Sequence, residues 1–347
     1  MCRNWPDAVG LLVFLAASAH GSLGAETALA PAEGTNLVPL LASPAHPLQY
    51  TGTCDVSGGV ALSSNLFAVA DDENNVLRMY RADQGGPAVK AFDCSAFLEV
   101  QGRSREADLE AGARLGDRIF WIGSHGRNRN AKERLNRDRF FATDIVWVGN
   151  DVTLVPVGRP YKYLLDDLLQ DPRFERFHFA EASRHAPKEA GALNIEGLSA
   201  TPDGHLIIGF RNPVPKKRAL LIPLLNPNEL LAGIPAKFGP PIMLHLGGRS
   251  IRDIAYFGGS YLISAGSYHG GGDFQLYRWA GPGSAPEPCA AYDFSGYHPE
   301  TILIYPEKGL REVELLSDDG LRWINGCPCK ALADPRRKSF RGFWVNP

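Results

Sequence analysis

Apolar and polar positions recur as one unit along most of the chain. A short apolar run leads into a turn, a second apolar run and then a polar cluster. The unit stands at residues 59–72 (GVALSSNLFAVADD), 108–125 (DLEAGARLGDRIFWIGSH), 194–212 (NIEGLSATPDGHLIIGFRN), 252–267 (RDIAYFGGSYLISAGS) and 298–319 (HPETILIYPEKGLREVELLSDD). The links inside the units are Ser63-Ser64-Asn65, Gly116-Asp117, Pro202-Asp203-Gly204, Gly258-Gly259 and Lys308-Gly309. Gly, Asn and Asp tolerate the backbone angles of tight hairpins, so each unit predicts two antiparallel strands. Further strand-like runs follow, 75–81 with 88–92, 144–148 with 152–157 and 219–225 with 242–246. Four short strands per repeated unit predict an all-β fold, a β-propeller of five blades, or six with a degenerate one. A β-sandwich also has many short strands, but the regular unit favours the propeller.

Two segments interrupt the array between the second and third units. Residues 127–139 (RNRNAKERLNRDR) are basic and polar and predict a solvated loop. Residues 161–190 contain YKYLLDDLLQ, whose apolar spacing suits a helix that stops at Pro172, so the propeller carries a partly helical insertion. Residues 339–345 predict the outer strand of the last blade, and a strand near residues 48–51 is placed to pair there and close the ring.

The N-terminal hydropathy adds a domain plan. Residues 9–17 (VGLLVFLAA) are too short an apolar run to span a bilayer. Small residues follow at Ala17-Ser18-Ala19 and Leu23-Gly24-Ala25, which predicts a signal peptide over 1–25. Residues 26–50 then form a linker or N-terminal arm and residues 51–347 the propeller domain. No later run is long enough for a membrane span, so a secreted or periplasmic monomer is expected. The net charge of −2 gives no global field to draw nucleic acid or an anionic membrane. Export favours disulfides. Loss of Cys2 would leave Cys54, Cys94, Cys289, Cys327 and Cys329, with bridges Cys54–Cys94 and Cys289 to Cys327 or Cys329 as candidates. Cys327 and Cys329 have no neighbouring His to complete a soft-metal site.

The stretches VADDENNVLRMYR, DLEAG, WIGSHGRN, NIEGLS and IIGFRNP resemble an uncharacterised bacterial family of exported propeller-like proteins, a domain of unknown function, over about residues 55–345. The resemblance implies a fold and no activity. The E-G-L strand with its polar exit is more distantly similar to phytase-like and lactonase-like propellers.

Hairpin geometry gathers the polar clusters. The start of one strand and the end of its partner lie at the same end of a blade. Glu110 to Ser124, Glu196 to Phe210 and Asp253 to Ser267 are each fourteen apart, so the clusters point to one rim. Three chemistries suit such a rim. Glu110, Glu196, Asp253 and Glu300 come from four blades and form a candidate Ca2+ site, with Asp72 or Asn194 nearby. Arg211, Asn212, Arg127 and Arg252 are candidates to seat an anionic substrate, since Arg forks match carboxylate and phosphate. His125 and His298 are candidate acid–base groups, with His269 in a Gly-rich loop as a third. Together they suggest a metal-assisted hydrolase of a small anionic ester or lactone. The alternative is a non-catalytic propeller that binds a ligand or a cell-envelope partner, its carboxylates serving only to cap backbone amides.

Overall fold

The computed structural model describes residues 45–290 and 292–347. The expected signal peptide and most of the expected arm lie outside the described residues. The rest forms five blades and not six. Blade 1 holds Val56–Ser63, Leu66–Asp71, Asn74–Arg81 and Lys90–Asp93. Blade 2 holds Leu109–Leu115, Arg118–Gly123, Phe140–Val148 and Asp151–Tyr161. Blade 3 holds Asn194–Ala200, Leu206–Asn212, Ala219–Leu224 and Ile242–Leu244. Blade 4 holds Ser250–Phe257, Ser260–Gly266, Gln275–Trp279 and Glu287–Pro288. Blade 5 holds Pro299–Leu303, Val313–Ser317 and Ser339–Val345, and takes its fourth strand, Ala45–Thr51, from the other end of the chain.

The first strand of each blade is innermost. These five strands touch their neighbours in turn, and the strand of blade 5 meets that of blade 1. Blade faces are apolar because each packs against the next blade. Trp121 and Leu77 share the core between blades 1 and 2, and Ile207 and Ile263 that between blades 3 and 4. Burying one such side chain contributes roughly 1.5–3 kcal/mol. Ring closure adds polar contacts. Tyr50 from the N-terminal strand and Tyr305 each donate to the buried Glu314 carboxylate at 2.7 Å.

The helical insertion is present as Leu164–Gln170, with a 3-10 turn over Pro172–Phe177 and a short helix at Phe179–Ala182. Its Leu164, Phe174 and Phe179 join the core between blades 2 and 3. Among the described residues, no helix is long and apolar enough to cross a membrane.

One expectation is overturned and a second is qualified. A disulfide joins Cys54 to Cys329, with Cα atoms 6.1 Å apart across 275 residues, while Cys94 and Cys289 are free thiols. Closure of the ring brings the start of blade 1 beside the last blade, a proximity that sequence spacing does not carry. Residues 127–139 are not simply solvated. Arg139 is buried and its Nε donates to the Leu98 carbonyl at 2.8 Å, and Arg137 ion-pairs with Asp108 at 2.7 Å. A long Arg stem covers apolar surface while its head reaches an oxygen, so a basic run need not face water.

Candidate functional site

Each inner strand breaks its pairing register near its start. The breaks fall between Val56 and Gly59, Leu109 and Ala111, Ile195 and Gly197, Ile251 and Asp253, and Pro299 and Thr301. The residues left over are Ser57-Gly58, Glu110, Glu196, Arg252 and Glu300, one such break per blade. Both faces of a blade are packed, so a charge on either face would lose its water without a partner. A bulge leaves its residue out of the ladder and re-aims the side chain. Here Glu110, Glu196, Arg252 and Glu300 turn into one funnel of about 570 Å3 at the channel mouth. Blade 1 has no charge at this position. Its Gly58 holds φ at +136°, and a Cβ there would stand 2.6 Å from Ala111 Cα, so this bulge is used for close approach of two inner strands.

The funnel has two halves. In one, arginines and carboxylates alternate. Glu196 is paired with Arg211 and, at 3.0 Å, with Arg252, and Arg252 also contacts Glu300. Asn194 Nδ2 donates to Glu196 at 2.9 Å, and Arg211 Nε to the Tyr268 carbonyl at 2.9 Å. Lys188 stands at the edge of this half with no ion pair of its own among the described residues. Burial and the charges of Arg211 and Arg252 hold its ammonium below the ordinary lysine range.

The other half is rich in carboxylates. Asp55, Asp72, Glu73, Asp108 and Asp318 line it, with Lys330 and Arg137 at its margins. Lys330 Nζ reaches Glu73 at 3.1 Å. Burial, then the charges of Asp318 and Glu73, push Asp55 up to about 8. Burial and the Asp55, Glu110 and Asp318 charges push Asp72 well above the carboxylate range. Asp108 is raised to about 6 by burial, against the pull of Arg137. Glu110 lies between the halves and is also raised well above its usual range, by burial and then by Asp108, Glu196 and Glu300. Its hold on a proton is therefore stronger than that of an exposed glutamate.

The expected site residues divide accordingly. Glu110, Glu196, Glu300, Arg211, Arg252 and His298 line the funnel. Four others do not. Asp253 accepts from the Ile254 and Ile302 amides at 2.8 and 2.7 Å and lines the opposite end of the channel. The even spacing set it level with Glu196, but the bulge falls one residue earlier, on Arg252, and one residue reverses a side chain. His125 is buried and lines a different cavity, with Nδ1 2.9 Å from the Gly123 carbonyl, and burial holds its ring down at about 4. Arg127 donates to the Ser183 carbonyl at 2.6 Å and ties a loop to the insertion. Asn212 donates to the Pro187 and Glu189 carbonyls at 3.1 and 2.6 Å, on either side of Lys188. The expected four metal ligands do not meet at one point: Asp253 lies at the other end of the channel, and the Arg252 guanidinium pairs with both Glu196 and Glu300. The residues missed were Asp55, Lys188, Lys330 and Arg137. Asp55 and Asp108 both stand two residues before the bulge position, a repeat visible once the units are aligned.

The family described as "Protein of unknown function (DUF3616)" matches residues 55–146 and 154–295. No curated protein matches the chain. Among solved structures, glutaminyl cyclase from Myxococcus xanthus is 10% identical, with 88% of this chain and 97% of that chain covered and a TM-score of 0.49. The PQQ-bound aldose sugar dehydrogenase from Streptomyces coelicolor is 12% identical, with 88% and 100% covered and a TM-score of 0.41. A GH43 β-1,3-galactosidase with galactodeoxynojirimycin is 11% identical, with 88% and 94% covered and a TM-score of 0.47. At these identities the likeness concerns the fold alone.

Proposed function

The chain belongs to the DUF3616 family, and we propose that this member is an exported propeller whose funnel seats a small anionic ester or lactone and hydrolyses it. One observation carries the proposal. Lys188, which has no ion pair among the described residues, and Arg211 line the same funnel as Glu110, a carboxyl whose proton affinity burial and neighbouring acids raise. Cations crowded in this way are relieved by an anion, and Arg forks suit carboxylate or phosphate oxygens. A protonated carboxyl at the same place is a proton donor for a leaving oxygen.

In the reaction, water adds to the carbonyl carbon and loses one proton. The bond from that carbon to the leaving oxygen breaks, and Glu110 protonates that oxygen. The proton lost by water restores Glu110, so one water is consumed and acid and alcohol are released. A divalent cation near the acid half would supply water activation. The Cys54–Cys329 disulfide supports export, since such bridges persist in oxidising compartments.

The test is a thermal-shift titration with phosphate and succinate, followed by assays on aryl esters, aryl phosphates and lactones. Anion-induced stabilisation lost in Lys188→Ala, with turnover lost in Glu110→Gln, is the expected result. No response to any anion overturns the proposal. A second reading, non-catalytic capture of an anionic ligand or envelope partner, is favoured by the pairing of Arg252 with both Glu196 and Glu300, which fixes the carboxylates as struts. Anion binding without turnover of any of these substrates supports it.

A further inference from the structure

The acid half of the funnel contains a feature that hydrolysis by Glu110 and the arginines leaves unused. Asp55, Asp72 and Glu73 each present a carboxylate oxygen within 4.8 Å of the others. Acid clusters on surfaces are common and mean little alone. This one has a buried member. Asp55 is 2% exposed, lines the funnel, and its Oδ2 has no hydrogen-bond partner among the described residues. A buried carboxylate oxygen without a donor costs free energy unless something positive is supplied. The surrounding backbone is shaped around it. Gly320 passes so close that a Cβ there would stand 1.8 Å from Asp55 Oδ1. Asp318 adds a fourth carboxylate, whose Oδ1 is occupied by the Gly320 amide at 2.9 Å.

We propose that Asp55, Asp72 and Glu73 hold one Ca2+ ion at the acid half of the funnel, opposite the anion seat. Ca2+ keeps oxygens at about 2.3–2.6 Å, so opposed ligands stand about 5 Å apart, a span that contains this group. The remaining coordination positions fall to water or to a substrate oxygen, for which the funnel has room. Lys330, which contacts Glu73 and faces Asp55 and Asp72, is the charge that occupies this half without the ion. Its ammonium must yield as the ion enters. Cys54 precedes Asp55 and Cys329 precedes Lys330, so the disulfide fixes both the ligand and its rival. The site deepens the hydrolase reading by giving the attacking water a cation, but its existence does not depend on turnover.

The test is calorimetric titration of CaCl2 into chelator-treated full-length protein without any anionic ligand, alongside thermal unfolding. The expected result is one ion per chain and a rise in unfolding temperature. Asp55→Asn and Asp72→Asn should each weaken binding by about tenfold or more, and Glu196→Gln should leave it within about twofold. Circular dichroism of the calcium-free variants separates lost binding from lost folding. The wild-type titration needs no variant. Absence of heat and of stabilisation at millimolar Ca2+ overturns the site. So does binding that survives both Asp55→Asn and Asp72→Asn. Because phosphate and succinate report on Lys188 and Arg211, failure here leaves the anion seat to stand or fall separately.

Discussion

The two halves of the funnel treat their carboxylates oppositely. Around Glu196 and Glu300 every acid has a guanidinium within reach, supplied by Arg252 and Arg211. Around Asp55 and Asp72 the acids face one another, with Lys330 in direct contact only with Glu73. In the first half each acid is paired. The second is left electrostatically incomplete. A buried ion pair is held by mutual need, since loss of either partner strands the other. A crowd of carboxylates is held by the fold against its own repulsion. Such a group is stabilised by a proton or a metal, and function tends to sit where a structure accepts this cost.

The difference should be largest at Arg252. Its replacement by Ala leaves Glu300 without an ion-pair partner and Glu196 with one fewer, at 8% and 3% exposure. Destabilisation of about 3–5 kcal/mol is expected, read by urea unfolding. In the acid half the sign should invert. Asp55→Asn removes a carboxyl that burial and its acidic neighbours push up to about 8, so calcium-free protein should gain stability, by an amount that grows as pH rises from the ordinary carboxylate range through that value. Adding Ca2+ should reverse that order, with wild type overtaking the variant. An Asp55→Asn protein as damaged as Arg252→Ala would erase the contrast.

Glu110, on the boundary, gives a pH test. Its carboxyl is raised above the 4.5 of an ordinary glutamate by burial and by Asp108, Glu196 and Glu300, while Arg211 opposes. The folded protein then binds more protons than the unfolded chain above pH 4.5. Stability contributed by this group is therefore present at low pH and declines as pH rises through the folded pKa. Hydrolysis should fall on the same alkaline side, because the protonated form is the donor. Glu110→Gln should flatten the stability profile and remove turnover. A profile unchanged by that substitution would place the titration elsewhere.

Much of this was legible in the chain. The repeating units carried the five blades, and the run at 339–345 with the strand near 48–51 carried the closure of the ring. Convergence of Glu110, Glu196, Glu300 and Arg211 on one mouth followed from hairpin direction alone. The sequence hid what depends on one residue of register or on closure in space. Asp253 and Arg252 are neighbours, and only the bulge decides which enters the funnel. Asp55 looks like an ordinary turn residue until the ring brings Gly320 and Asp318 over it. Lys188 belongs to an insertion whose path no repeat dictates, and Arg137 to a loop that composition marks as solvated.

Asn212 offers the smallest effect and the finest distinction between the halves. It lies outside the funnel, yet its amide holds the Pro187 and Glu189 carbonyls that flank Lys188. Asn212→Ala removes two hydrogen bonds to backbone, worth about 1–2 kcal/mol together after the competing water is counted. The loss should fall on the position of Lys188 and not on the core, so unfolding should shift little. Phosphate affinity should drop by about fivefold to thirtyfold, the equivalent of that energy. Ca2+ affinity should not change, because Asp55, Asp72 and Glu73 belong to blade 1. Asn212→Asp, which cannot donate to either carbonyl, should behave like Ala, whereas Asn212→Gln should restore part of the anion affinity. If Ca2+ and phosphate weaken together in Asn212→Ala, the two halves are one coupled site, and the division drawn between them fails.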